Sequence, residues 1–226
     1  MKTAWIAGSS GLVGSHCLQG LLDSPEYMRV IALGRRVLPI QHPKLLQSRV
    51  DFAVLDPMHG VNDVFCCLGT TIREAGSRDA FRRVDYEFVL SLAEAAVHSG
   101  GDQFLVVTSA GAAPNSRNFY LRVKGEVERD LAKWPFACLH IFRPSLILGP
   151  RKRTRPAEVI GGIATRIFSP FLQGKLVRWR PIHAADIASA MLHAAQKKSY
   201  GRHVYENPDM LRLAAKDDVV FAHESG

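Results

Sequence analysis

Cysteine is scarce: Cys17, Cys66, Cys67 and Cys138 are the four in 226 residues, and they show neither a disulfide framework nor metal-ligand spacing. The adjacent pair Cys66 and Cys67 would point to opposite faces of a strand. Without a disulfide scaffold, a reduced, cytoplasmic compartment is the default expectation. Long apolar runs are missing too. No uncharged stretch approaches the roughly 18 residues of a membrane span. Thr3 to Ala7, between Lys2 and the first glycine, is too short for the apolar core of a secretory leader. The nine histidines show no His-x-x-x-His pairing, so no metal is expected. Acidic side chains are outnumbered, 21 against 29 Lys and Arg, and the resulting formal charge of +8 favours anionic partners. Internal repeats and low-complexity segments are absent.

What is present is enough apolar content, 47% over 226 residues, for one well-buried core. Short β-rich runs alternate with helical patterns. Lys2 to Ala7, Arg29 to Leu33, Asp63 to Leu68, Gln103 to Thr108 and Ala137 to Phe142 read as strands. Most are almost continuously apolar, as strands buried on both faces are. Leu12 to Leu22, Arg78 to His98 and Phe119 to Leu131 read as helices. This alternation predicts an α/β domain with a doubly wound parallel sheet. A further strand is expected around Arg49 to Val54, although the roughly eight residues from there to Asp63 are fewer than an ordinary crossover uses. From Arg151 the chain turns basic and less regular, so 151–226 is expected to add a small substrate-side cap to a single domain.

"IAGSSGLVGSHCLQGLL" places Gly8, Gly11 and Gly14 between the first strand and the first helix. Such a turn serves a dinucleotide. The first glycine permits the bend, the second lets a diphosphate approach the backbone, and the third lets the helix pack close to the sheet. The N–H groups of Gly8, Ser9, Ser10, Gly11, Leu12, Val13 and Gly14 would surround that phosphate at the helix N-terminus. A plain strand-turn-helix loop could also carry glycines at this place. About twenty residues on, where an acid would receive the ribose hydroxyls of NAD, the chain has "ALGRR". Gly34 replaces the acid, and Arg35 and Arg36 offer forked donors to a 2′-phosphate. NADP(H) is therefore the expected cofactor.

After the strand ending near Thr108 come "VVTSAGA" and "NFYLRVKGEVERDL". Tyr120 and Lys124 share a helix face one turn apart. A nearby ammonium favours a charged phenolate, which suits a general acid/base beside a hydride donor. Ser109, at a strand end, could hydrogen-bond the same substrate oxygen. "RPSLILGP" could line the nicotinamide pocket through the backbone after Pro144. "RKRTR", residues 151–155, lacks interleaved aromatics, and that argues against nucleic acid. In "PIHAADIASAML", Asp186 falls in a first helical turn, where its charge complements the dipole.

The order of glycine turn, serine and Tyr-x-x-x-Lys resembles the short-chain dehydrogenase/reductase superfamily. "FCCLGTTIREAGSRDAFRRVDYEFV", "FYLRVKGEVE" and "FRPSLILGPR" resemble its atypical branch, the one that includes the Tat-interacting oxidoreductase-like NAD(P)-binding proteins. The resemblance runs from Thr3 to about Ala195. It implies a Rossmann-type fold, NADP(H), and catalytic roles for Ser109, Tyr120 and Lys124. It also implies that Leu68, Gly69 and Thr70 lie beside the cofactor, and that the helices after the fourth and fifth strands are dimer surfaces. "CLGTT" replaces the Asn-Asn-Ala-Gly stretch of the non-atypical members, so the fourth catalytic role has no assigned residue. The expected function is NADP(H)-dependent oxidation or reduction of a small carbonyl or alcohol. The alternatives are an NADPH-binding sensor that docks a protein partner with little turnover and, last, a nucleotide-sugar epimerase.

Overall fold

The computed structural model describes residues 1–57, 60–149, 178–197 and 199–215. Its strands are β1 (Lys2–Ala7), β2 (Tyr27–Gly34), β3 (Leu45–Arg49), β4 (Asp63–Cys66), β5 (Gln103–Val107), β6 (Cys138–Arg143), β7 (Ile147–Leu148), β8 (Ile182–His183) and β9 (Gly201–Glu206). Seven of them form one sheet in the order β3-β2-β1-β4-β5-β6-β9, and every neighbouring pair is parallel. The short β7 and β8 pair separately. The helices are α1 (Leu12–Asp23), α2 (Ile72–Ala75), α3 (Arg78–Arg82), α4 (Phe88–His98), α5 (Phe119–Leu131), α6 (Ala184–Gln196) and α7 (Asn207–Ala214). This is the expected doubly wound, Rossmann-like parallel sheet with helices on both sides.

The apolar strand runs follow from that layering. In β1, Ala4 and Ile6 join the core with α1, α6 and α7, whereas Trp5 and Ala7 join the core with α4 and α5. Both faces are covered, so the alternation of polar and apolar residues seen in one-sided sheets is lost. No described helix is long and apolar enough to cross a membrane.

Three expectations need correction. The third strand is Leu45–Arg49, paired with β2, rather than a run around Arg49 to Val54. It is an edge strand with no fully buried residue, so its apolar signal is weak; because it ends at Arg49, residues 50–62 link it to β4, and Phe52 is buried within that link. The strands before the site also stop early, at Cys66 and Val107, which leaves Leu68 and Thr108 in the turns beyond. The expected helix Arg78 to His98 is broken by a π turn, Arg83–Glu87. Ser77 caps its start, accepting the Ala80 N–H at 3.1 Å.

The proposed cap falls partly on residues 150–177, outside the described residues, as does "RKRTR". Its described part builds β8, α6, β9 and α7; β9 extends the sheet beside β6 and α6 packs in the same core as α1. Asp186 does stand in the first turn of α6.

A polar cluster is buried at the amino edge of the sheet. Asp63 accepts from Lys2 Nζ at 2.9 Å, Tyr27 Oη at 2.6 Å and Gln103 Nε2 at 2.9 Å. His140 bridges Gln103 Oε1 and the Tyr205 hydroxyl. Burial, with His203 alongside, pushes the His140 imidazole down to about 4. The unfolded chain takes up that proton near 6.5 and the folded chain only near 4, so between those values the unfolded state holds more protons and stability falls with the pH. The loss expected from this residue between pH 6.5 and 4 is about 3 kcal/mol. Denaturant titrations across that range should show a shallower decline in His140→Phe than in the wild type. Parallel declines would show that the imidazole is not the titrating group.

Candidate functional site

Because the strands are parallel, the turns after β1, β2, β4, β5 and β6 all open on one edge of the sheet. The strand order reverses between β1 and β4, and in open α/β sheets ligands bind in the crevice at such a reversal.

The turn after β1 is built for close approach. Gly8 has φ +83°, and a Cβ there would lie 2.4 Å from the Cys67 carbonyl oxygen at the end of β4. A Cβ on Gly14 would lie 2.2 Å from the Gly8 carbonyl oxygen. The Gly11 N–H donates to Gly8 at 2.9 Å, closing the turn. Ser9, Val13 and Gly14 are buried, Leu12 is half-buried, and Ser10 and Gly11 are exposed. No side chain caps the first turn of α1, whose N–H groups have no partner inside the helix. An uncapped helix start beneath a turn that has glycine at 8 and 11 and serine between them fits a diphosphate. Arg35 and Arg36 follow β2 directly and are exposed.

On the other side of the crevice, α5 carries Tyr120 and Lys124. Asn118 starts this helix, its side-chain oxygen accepting the Leu121 N–H at 3.2 Å. Gly125 lets it lie against the turn after β5, since a Cβ there would be 2.2 Å from Ala113 backbone. One turn beyond Lys124, buried Glu128 accepts the Thr108 hydroxyl at 2.6 Å and pairs with Arg143, locking α5 to the ends of β5 and β6. The Tyr120 ring lies 5.5 Å from the Phe81 ring. Ser109 sits in the same turn, with its hydroxyl directed to the Ala110 carbonyl at 3.3 Å rather than to Tyr120. The Ala110 N–H donates to the Pro144 carbonyl at 2.8 Å, which joins the Ser109 turn to the segment after β6.

Lys124 is buried, and its ammonium lies 2.8 Å from Asp85 Oδ1. Burial alone would lower its pKa, but Asp85, and after it Tyr120, more than offset this and hold the lysine above its ordinary value. The other Asp85 oxygen accepts the Thr70 N–H at 2.9 Å. Gly69 lies directly over the pair, since a Cβ on it would stand 3.5 Å from Asp85 Oδ1 and 3.8 Å from Lys124 Nζ. Gly69 and Thr70 are thus brought to the Asp85–Lys124 pair, with Leu68 just before them in the same turn. Asp85 was not anticipated. It belongs to the π turn, which nothing in "RVDYEFV" distinguishes from continuous α-helix.

Residues 4–206 match the NAD dependent epimerase/dehydratase family. The chain is 35% identical to Protein HTATIP2 of Rattus norvegicus over 96% of its own length and 91% of that protein's. It is also 35% identical to Protein FMP52, mitochondrial, of Candida glabrata over 88% of its length and 87% of the relative's. Among solved structures, MoeE5 in complex with UDP-glucose and NAD matches with a TM-score of 0.67 at 19% identity, covering 95% of this chain and 81% of that one. The UDP-N-acetylglucosamine 4-epimerase of Methanobrevibacter ruminantium matches with a TM-score of 0.69 at 17% identity, covering 98% and 82%. The expected cytoplasmic location does not stand, because several FMP52 relatives are named mitochondrial. Cysteine usage carries a tendency about redox conditions and does not separate one compartment from another.

Proposed function

This chain belongs to the NAD dependent epimerase/dehydratase family, and on that premise we propose that it is an NADP(H)-dependent oxidoreductase acting on a small carbonyl or alcohol. The observation that carries this reading is the convergence of the uncapped glycine turn and the Tyr120–Lys124 face on one crevice, with Lys124 anchored by Asp85 at 2.8 Å. Gly8 to Gly14 would hold the diphosphate, Arg35 and Arg36 the 2′-phosphate, and Leu68 to Thr70, Lys124 and the Pro144 segment the nicotinamide half. When bound, the reduced nicotinamide supplies a hydride. Tyr120 gives its phenolic proton to the substrate oxygen as that oxygen gains charge, and Ser109 turns its hydroxyl from Ala110 to hold it. Lys124 balances the phenolate left behind.

The test is consumption of NADPH with a panel of aldehydes, aryl ketones and quinones. Turnover supports the reading. Tight NADPH binding without turnover on any member would favour a sensor that docks a protein partner. Cofactor preference has its own test. Arg35→Ala is expected to weaken NADPH binding by about 1.5 to 3 kcal/mol, the value of a hydrogen bond to a charged group, and to leave NADH binding nearly unchanged. Fluorescence titration with both cofactors measures this, and equal wild-type affinity for the two would contradict the preference.

A further inference from the structure

Asp85 stands apart from the other buried carboxylates near the crevice. Glu128 ties α5 to the ends of β5 and β6 through Thr108 and Arg143, whereas Asp85 touches two groups to which the proposed function gives the cofactor, Lys124 and the turn of Thr70. Its oxygens are divided between Lys124 Nζ at 2.8 Å and the Thr70 N–H at 2.9 Å. It is 1% exposed and lies in the π turn Arg83–Glu87, a feature frequent at functional sites. We propose that Asp85 is the positioning residue of this site, its single carboxylate fixing the Lys124 ammonium and the Leu68–Thr70 turn against each other.

The inference rests on the catalytic reading of Lys124. A buried ion pair is weak support for a fold, since apolar side chains of similar volume often serve as well. This pair joins α5 to the turn after β4, the two segments that the proposed function gives to the nicotinamide half. An amide cannot replace the carboxylate here. With its oxygen on the Thr70 N–H it would turn its own N–H groups toward Lys124, and with its oxygen on Lys124 it would turn them toward Thr70.

The groups facing Lys124 are Asp85 from the π turn, Tyr120 from its own helix and Cys66 from β4. Burial pushes the Cys66 thiol up to about 12, so it carries no charge at neutral pH. Once Asp85 is neutralised, burial acts on Lys124 without an opposing anion. The lysine then sheds its proton at lower pH than in the unfolded chain, and stability rises with pH through that range.

The test compares Asp85→Asn, Lys124→Met and the double variant with the wild type. In the protein without cofactor, the difference in Tm between wild type and Asp85→Asn is expected to narrow from pH 7 to pH 10. A constant difference would overturn the proposal. With NADPH and a turned-over carbonyl, Asp85→Asn is expected to lose roughly 10- to 100-fold in kcat, the usual penalty for small misplacement, with a smaller change in KM. The double variant is expected to match Lys124→Met, because a residue acting through Lys124 has nothing left to position. Multiplied losses would overturn the proposal. If Asp85→Asn alone does not fold, the double variant, freed of the unpaired ammonium, should; its failure would mean that Asp85 serves only the fold. A wild type without turnover removes the catalytic reading and leaves the Tm comparison as the test of the pair.

Discussion

Tyr120→Phe is expected to lower kcat for NADPH-dependent carbonyl reduction by roughly 10²- to 10⁴-fold, the range for loss of a positioned general acid, with little change in NADPH affinity. The substitution removes one oxygen and leaves the ring where it packs, 5.5 Å from Phe81. The start of α5 rests on Asn118, and Lys124 remains paired with Asp85. Neither depends on the hydroxyl, so the effect should appear in chemistry rather than in folding or binding. Single-turnover kinetics beside a nicotinamide fluorescence titration separate the two. Unchanged turnover would mean that the proton comes from elsewhere.

Gly14→Ala is the second large effect. The new Cβ would stand 2.2 Å from the Gly8 carbonyl oxygen, 2.8 Å from its carbon and 3.0 Å from Ser9 Cα. All three are backbone atoms and cannot rotate away. Either α1 moves outward from the sheet or the turn after β1 opens, and both separate the helix start from the place where a diphosphate would rest. NADPH affinity is expected to fall by about 100-fold or more, with a destabilisation of about 1 to 3 kcal/mol from overpacking. Ser15→Ala, one residue further on and exposed, is the matched control and should leave both nearly unchanged. Denaturant unfolding and cofactor titration of the two variants decide the matter. Full affinity in Gly14→Ala would show that the turn does not seat the cofactor.

The legible part of this protein is the part whose physics is local. Glycines after an apolar strand, a tyrosine and lysine one helical turn apart, and strands buried on both faces each leave a pattern in consecutive residues. The third strand left little trace because an edge strand needs few buried side chains; Leu46 is half exposed there. Asp85 left none, because it is significant only through partners 15 and 39 positions away, Thr70 and Lys124. The π turn that carries it inserts an irregularity that no residue type demands. Ser109 follows β5, but its hydroxyl direction depends on the Ala110 carbonyl and has no sequence signature. The compartment was misjudged for a different reason: cysteine usage reports redox conditions and carries no address.

A structure of the protein with NADPH bound tests most directly whether the glycine turn and Tyr120 serve one ligand. The diphosphate is expected against the backbone of residues 8–13, the 2′-phosphate beside Arg35, and the nicotinamide within reach of the Tyr120 hydroxyl and Lys124. A dinucleotide seated away from that turn, or a Tyr120 hydroxyl directed away from the nicotinamide, would contradict it.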